Sequence, residues 1–472
     1  MSKWVGTSIP HEMHIPPIGL MYLASYVRTS LPQVELRIVE SSLSTPDDES
    51  FVRLLEEFKP DFVGIRSIAF FLEELQRVAG LVAAYGSATL VAGGPIVEAY
   101  QQRIFDEVPE LHAAVRGEGE QALTRILSGV PMASIDGAFY RCGDKIIENQ
   151  GQAEIANLDT VPTPAYDLVD LAVYEQHLSY AYNHRRQGIL LTSRGCVYNC
   201  TFCFSHWKDV RLRSAENIFR EIVELNERHG IFDFYIIDDI FNVNLQRSIE
   251  LFKKIVASGL KIRLYFVNGL RADITSERFV DHALEAGAIW FTYAVESAAE
   301  EIQQLVRKNL NLEKARRIIA YTQAQNVAVN ISTMYGFPTE TRALAQRTLD
   351  WLGELPKPSL MPYHFCLRFF PGCEINRQAV DAGWDAERLA ATSRYSYNDL
   401  PTGTPTLSRQ DMFDIQIEYH RRFGLKNPSA VDGAVRTLRS IGYADVEILH
   451  MYSVLNRRQI HDVGELLIAG GD

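Results

Sequence analysis

The 472-residue sequence contains no uninterrupted run of about 18 or more apolar residues, so no membrane-spanning helix and no membrane partner are expected. It also lacks an excess of positive charge. The formal net charge is −12, which argues against whole-chain attraction to phosphate backbones, and no nucleic-acid partner is expected. The N-terminus shows no basic start followed by a long apolar stretch and a small-residue cleavage site, so the reading is cytoplasmic. Cysteine is scarce. Six residues in a chain this long do not make a disulfide framework. Internal repeats and low-complexity tracts are missing as well. What remains is 47% hydrophobic and 22% charged, the balance of a globular protein with room for two or three domains.

The first part alternates β-rich apolar runs with longer helical patterns. Strands are expected at Trp4–Ile9, Val34–Glu40, Phe62–Arg66, Thr89–Ala92 and Ala113–Arg116, with helices such as Ile18–Arg28, Glu49–Phe58 and Glu73–Ala84 between them. This predicts an α/β, doubly wound domain over residues 1–134, with its ligand crevice beyond the carboxyl ends of the strands. Gly93-Gly94-Pro95 and Gly117-Glu118-Gly119-Glu120 fall at those ends. Glycines there let a backbone approach something flat or bulky, or simply make tight strand-to-helix turns. Residues 135–180 read as a linker holding a hairpin-like piece, Ala138–Ile147. A second array covers 181–377, with strands at Gly188–Thr192, Phe232–Asp238, Arg263–Asn268, Ile289–Glu296, Ala328–Tyr335 and His364–Phe370. Six strand-helix units predict a partial (β/α)6 barrel, whose chemistry collects at the carboxyl ends of its strands. Residues 378–472 read as a mostly helical C-terminal region, with amphipathic stretches at Arg409–Phe423 and Val431–Ile441.

Three of the six cysteines crowd into Thr192-Ser193-Arg194-Gly195-Cys196-Val197-Tyr198-Asn199-Cys200-Thr201-Phe202-Cys203, just after the first strand of the second array. One loop can wrap three corners of a cubane with thiolates, the preferred ligands of iron-sulfur clusters. No fourth cysteine lies nearby, which leaves one iron open. Structural zinc is the competing reading, but it usually takes four protein ligands.

This loop resembles the radical S-adenosylmethionine (SAM) superfamily, whose Cys-x3-Cys-x2-Cys signature it matches at Cys196, Cys200 and Cys203. The resemblance implies a 4Fe-4S cluster whose open iron is chelated by SAM, and one-electron cleavage of SAM to a 5′-deoxyadenosyl radical. It also implies a small-molecule substrate and an electron donor such as flavodoxin or ferredoxin. Phe202 matches the aromatic beside the adenine. Ile237-Asp238-Asp239 resembles the polar motif at the SAM amino group, and Ala294-Val295-Glu296-Ser297 the ribose and carboxylate contacts. Tyr335-Gly336-Phe337-Pro338-Thr339-Glu340-Thr341 resembles the turn near the adenine, at Gly336 and Pro338. Taken singly, Ser297 or Thr339 reads as a helix N-cap; their joint placement at successive strand ends favours the SAM site.

The first domain resembles the cobalamin-binding domain that precedes the radical module in one large subclass. The residues that carry this are Pro16-Pro17-Ile18-Gly19-Leu20 opening the first helix, Gly93 and Gly94, and Gly117, Glu118 and Gly119; the segment Leu158-Asp159-Thr160-Val161-Pro162-Thr163-Pro164 is similar too. The Asp-x-His-x-x-Gly motif that supplies a lower histidine to cobalt elsewhere is missing, and His14 reads as an ordinary loop histidine. With cobalamin, the resemblance implies methylation of an unactivated carbon in a biosynthetic pathway. Without it, the same radical would drive a dehydration, epimerisation or rearrangement, and a cluster-carrying electron-transfer protein is the third class.

Some residues stay open between readings. Cys373 follows Phe370-Pro371-Gly372 and is read either as a hydrogen donor facing substrate or as a compact apolar filler, the default. Arg271 is read as a partner of the SAM carboxylate, the favoured reading, or of a surface acid. Tyr363, His364 and Arg368 lie near the sixth strand, where alternation turns only some of them inward.

Overall fold

The computed structural model describes residues 3–8, 15–40, 47–68, 71–152, 154–177, 179–204, 209–356, 362–387, 403–424 and 428–452, with 43, 45, 360 and 389 singly. The chain divides into two compact units, Met1–His177 and Leu178–Asp472.

In the first unit β1 (Lys3–Ser8), α1 (Ile18–Ser30), β2 (Glu35–Glu40), α2 (Asp48–Phe58), β3 (Phe62–Arg66), α3 (Leu72–Tyr85), β4 (Thr89–Gly93), α4 (Pro95–Tyr100), α5 (Ile104–Glu107), β5 (Ala113–Val115) and α6 (Gly119–Leu127) follow in turn. The helices form for local reasons. In α2, Asp47 and Ser50 make a capping box, and Phe51, Leu55 and Phe58, spaced four and three apart, turn one buried stripe to the sheet. Strands β2-β1-β3-β4-β5 are parallel, and the order reverses between β1 and β3. That reversal is the switch point at which a doubly wound sheet opens a crevice.

The stretch 135–180 differs from the linker expected of it. β6 (Ala138–Cys142) and β7 (Lys145–Glu148) add two antiparallel strands beside β5. The following coil is anchored rather than free. Leu158, Val161, Ala165 and Tyr166 are buried, the Ser25 hydroxyl donates to Thr163 O at 2.6 Å, and Ala165 N donates to Met21 O at 3.1 Å. α7 (Leu171–Tyr174) ends on Tyr174, whose hydroxyl donates to Glu40 Oε2. Burial of these apolar side chains makes the segment part of the first unit. His14 lies outside the described residues.

The second unit holds β8 (Gln187–Leu190), β9 (Ser193–Arg194), β10 (Arg211–Leu212), α8 (Ala215–His229), β11 (Asp233–Ile236), α9 (Leu245–Ser258), β12 (Arg263–Leu270), α10 (Glu277–Glu285), β13 (Ala288–Glu296), α11 (Glu300–Leu305), α12 (Leu312–Gln323), β14 (Ala328–Tyr335), α13 (Arg342–Glu354), β15 (Tyr363–Cys366), α14 (Glu374–Asp381), α15 (Arg409–Phe423) and α16 (Pro428–Ser440). Six strands pair in parallel in the order β15-β14-β13-β12-β11-β8, an open, partial barrel. Side-chain alternation separates its two faces. Phe266 and Phe291 pack outward on Phe279 of α10 and on each other, and the Tyr293 hydroxyl meets Thr322 of α12 at 2.8 Å. Tyr265, Trp290, Thr292 and Asn330, out of phase with those residues, therefore face the lumen.

At the amino ends of the strands the lumen is filled by a paired polar group. Asp233 accepts from Arg263 Nε and the Tyr265 hydroxyl, both at 2.6 Å, and Tyr265 stacks on Tyr235 with centroids 4.5 Å apart. Arg185 lies over the Tyr443 ring at 5.0 Å, and the Tyr443 hydroxyl donates to Ala181 O. The C-terminal residues are therefore part of the second unit rather than a separate domain. α15 packs on α13 and on the outer face of β14, where Gln416 Nε2 donates to the Tyr335 hydroxyl at 2.8 Å. Among the described residues no helix is long and apolar enough to cross a membrane.

Candidate functional site

The cysteine loop leaves the carboxyl end of β8 and is held from three sides. Thr201 N donates to Val306 O at 3.1 Å, Ile375 N donates to Thr201 O at 2.9 Å, and Cys203 N turns back to Cys200 O at 3.1 Å. Cys203 is exposed, with Cys196 and Cys200 half-buried. Loss of contact with water raises the Cys196 and Cys200 thiols above their ordinary pKa. Metal binding must then displace their protons. The Thr201 hydroxyl is buried without a hydrogen-bond partner among the described residues. Three thiols and an unused hydroxyl on one loop fit a sulfur-rich cluster, which would supply that hydroxyl with acceptors. Among the described residues no three His, Cys, Asp or Glu side chains gather as ligands of a single metal ion.

The two aspartates after β11 divide their work. Asp238 is buried and accepts from Thr192 N and Ser193 Oγ, both at 2.6 Å, and from the Thr192 hydroxyl. Arg247 closes the knot by donating to Thr192 O at 2.8 Å. Asp238 thus fixes the strand end that feeds the cysteine loop. Asp239 is exposed, and its charge raises the thiol pKa of both Cys196 and Cys203, so it stands beside them.

Arg271 is likewise committed. Its guanidinium pairs with Asp273 at 2.9 Å, donates to Lys308 O at 2.9 Å, and lies 3.9 Å over the ring of Tyr198 in the cysteine loop. The acid it meets belongs to the chain, and its work is to brace the loop. Ser297 is fully buried, meets Thr348 Oγ1 at 3.2 Å and accepts from Ala299 N at 3.1 Å, a turn just ahead of α11, whose N-cap is Ala299 rather than Ser297. Glu296 remains at the mouth. Its backbone is left-handed, at φ 67°, and its carboxylate pairs with Lys308 Nζ at 2.7 Å in a buried ion pair.

Gly336 follows β14 at φ 86°, where a side chain would be strained and would press on Met412 and Cys366. Its N–H and that of Phe337 both donate to Glu340 Oε2, at 2.6 and 3.2 Å. Burial pushes the Glu340 carboxyl up to about 8 despite those two donors, and its Oε1 has no partner among the described residues. Pro338 is buried in the same turn, and Phe337 meets Phe202 edge-on with centroids 6.4 Å apart. Cys373 is buried beneath them with Phe337, Leu367, Phe369 and Ile375, which is the filler reading; burial pushes its thiol up to about 12.

The structure resolves the sixth strand. His364 points outward, stacked on Tyr335 and beside Tyr419 of α15, and burial holds it neutral with a pKa of about 3. By alternation Tyr363 and Phe365 face the lumen, in register with Ser332 and Met334. Phe365 is 36% exposed there. Arg368 lies just beyond the strand and is half-buried. Asn330 Oδ1 is a buried lumenal acceptor with no partner among the described residues.

In the first unit the motif glycines have unequal causes. A Cβ on Gly19 would come within 3.0 Å of the Arg66 side chain, one on Gly94 within 3.0 Å of Arg66 and of Ser67 O, and one on Gly119 within 3.0 Å of Leu23. One on Gly117 would overlap Gln152. Gly93 differs: among the described residues a Cβ there would meet nothing within 4 Å. Pro17 is buried at the start of α1, and Glu118 accepts from Ile155 N at 2.7 Å, a structural tie where a ligand contact was expected. A crevice edged by bare backbone at the switch point fits a large flat group.

Lys308 and Glu340 are the residues that motif reading passed over. Lys308 lies twelve residues beyond Glu296 in a loop with no pattern of its own, although Glu340 sat inside a quoted motif.

Comparison with known proteins agrees with this geometry. Residues 190–352 match the Radical SAM superfamily, and residues 5–127 match the B12 binding domain. The cytidylyl-2-hydroxyethylphosphonate methyltransferase of Streptomyces wedmorensis is 27% identical over 427 residues, covering 81% of this chain and 78% of that one. Among solved structures, the radical SAM methyltransferase TsrM from Kitasatospora setae, with cobalamin and a [4Fe-4S] cluster bound, superposes with a TM-score of 0.65 at 18% identity, covering 80% of this chain and 76% of that one. The cobalamin-dependent SAM radical enzyme OxsB, with aqua-cobalamin bound, superposes with a TM-score of 0.72 at 16% identity, covering 97% and 72%. The chain thus carries a B12-binding domain at residues 5–127 ahead of a radical SAM domain at residues 190–352.

Proposed function

We propose that this enzyme is a cobalamin-dependent radical SAM methyltransferase that methylates an unactivated carbon of a small molecule in a biosynthetic pathway. The observation that carries the reading is the cysteine loop, three thiols on one braced turn at the carboxyl ends of the barrel strands, in a chain that also holds a switch-point crevice edged by bare backbone. When bound, the cluster supplies the electron that cleaves SAM to a deoxyadenosyl radical, and cobalamin supplies the methyl group.

The chain's own part is holding, orienting and shielding. Cys196, Cys200 and Cys203 would hold the cluster. Asp239, Glu296, Gly336, Pro338 and Phe202 surround the place where SAM would lie, with Glu340 shaping the Gly336 turn from beneath. Gly93 would face a corrin, and Pro17, Gly19, Gly94, Gly117 and Gly119 would shape the close-packed turns around it. Tyr363, Phe365 and Met334 give the lumen an apolar wall, and Asn330 gives it one acceptor. A radical step gains from such an enclosure, because fixed geometry and excluded water keep the reactive carbon from side reactions. The electron would come from a flavodoxin or ferredoxin in the cytoplasm.

The test is anaerobic purification, reconstitution with iron, sulfide and added cobalamin, an absorption spectrum, and assay of 5′-deoxyadenosine after reduction with SAM. Retained corrin bands together with deoxyadenosine support the reading. Iron-sulfur absorption alone would redirect it to a cobalamin-independent radical reaction; zinc at the thiols, or no metal at all, would end it.

A further inference from the structure

We propose that Lys308 and Glu296 form a charge pair of opposing influence on the cluster, with Lys308 as a positioning residue that eases its reduction. The inference rests on the cluster assigned above to Cys196, Cys200 and Cys203. It concerns a residue that the cysteine signature and the motifs at the strand ends do not contain.

The placement is the first argument. The loop that carries Lys308 is tied to the cysteine loop at two points: Thr201 N donates to Val306 O at 3.1 Å, and Arg271, stacked 3.9 Å over Tyr198, donates to Lys308 O at 2.9 Å. The Lys308 side chain, 9% exposed, then reaches Glu296 Oε1 at 2.7 Å. The backbone pays for the arrangement with left-handed geometry on both sides: φ is 67° at Glu296, 53° at Arg307 and 45° at Asn309. None of these residues is glycine, so the surrounding packing must hold the turns in place.

The second argument is charge. The two loop ties hold the Lys308–Glu296 pair beside the turn that carries Cys196 and Cys200. Both charges therefore act on the place where the sulfur ligands sit. A cluster gains one negative charge when a reductant passes it an electron, so a nearby cation favours the reduced form and a nearby anion opposes it. Screening is weak because both side chains are about nine-tenths buried. Paired, the two nearly cancel. Separated, they act with opposite sign.

The experiment is a redox titration of the reconstituted enzyme without SAM, followed by electron paramagnetic resonance of the reduced cluster. Lys308→Met leaves Glu296 unpaired and is expected to make the cluster harder to reduce, by about tenfold in the reduced-to-oxidised ratio at fixed potential, or about 59 mV for one electron. Glu296→Gln leaves the lysine unpaired and is expected to shift the ratio the other way. The double variant returns close to the parent, and Lys308→Arg keeps the parent potential. If Lys308→Met fails to fold, Lys308→Gln gives the same reading with a polar side chain. Shifts of the same sign in both single variants, or no shift in either, overturn the proposal and mark the pair as packing alone. A parent protein that assembles no cluster overturns the cluster assignment as well, which separates the two failures.

Discussion

The two ends of the barrel are built on opposite principles. At the amino ends of the strands every charge is answered: Asp233 is met by Arg263, Arg185 and Tyr265, and stacked tyrosines fill the space between. At the carboxyl ends polar atoms are left waiting. The Thr201 hydroxyl and Glu340 Oε1 are buried without partners among the described residues, and backbone at Glu296 and Thr339 is left-handed. A polar group buried without a partner costs about 1–3 kcal/mol, so the second end sacrifices stability that the first end secures. The asymmetry teaches where the chain expects company.

If that is right, changes at the two ends should separate chemistry from folding. The largest effect belongs to Cys200→Ala, which is expected to abolish the cluster and reduce 5′-deoxyadenosine formation at least a hundredfold. Iron content and absorbance near the cluster bands check it, and the thermal midpoint of the metal-free protein should hardly move. At the other end Asp233→Ala is expected to destabilise by about 2 kcal/mol, because it leaves the buried Tyr265 hydroxyl without its acceptor and the half-buried Arg185 and Arg263 without their partner. Urea unfolding measures this. A variant that kept parent stability would show that the closed end is not a stabilising knot.

Glu340 gives the comparison a pH dependence. Burial raises its carboxyl from an ordinary 4.5 to about 8, so the folded protein holds a proton that the unfolded chain releases between those values. Its contribution is therefore fully present below about pH 4.5 and is lost as pH rises through about 8. Glu340→Gln can still accept from Gly336 N and Phe337 N through its amide oxygen, but cannot ionise. The expected outcome is a midpoint that falls more steeply between about pH 4.5 and 8 in the parent than in the variant. Parallel curves would remove Glu340 as the titrating group.

Much of this architecture was legible in the residues. β14 begins and ends where apolar alternation placed it, α15 matches its amphipathic stretch to the residue, and the cysteine spacing announced its own chemistry. What could not be read was direction. Asp238 and Asp239 look interchangeable in sequence, yet one step along the chain turns the first into a knot of hydrogen bonds and the second toward the thiols. Arg271, open between the SAM carboxylate and a surface acid, pairs with Asp273 only two residues on, whereas Ser297 meets Thr348 from a distant segment that no local pattern announces. The stretch 135–148 looked like a connection because its strands are short and its edge polar; only pairing with β5 makes them sheet.

The smallest expected effect is at Phe365. Its side chain is 36% exposed, so Phe365→Ala gives up only part of an aromatic burial, about 1 kcal/mol, and should leave the cluster spectrum unchanged. Its neighbour Tyr363 lies with ring centroids 5.4 Å away, and both stand on the lumenal face of the last strand, across from Met334 and Ser332. An aromatic left half in water on the inner wall of a barrel has no folding reason to be there, since a polar residue would cost the fold less. If the wall serves substrate, Phe365→Ala should raise KM at least fivefold while SAM cleavage in the absence of substrate stays within twofold of the parent. An unchanged KM would return Phe365 to the fold and narrow the waiting end of the barrel to its polar atoms alone.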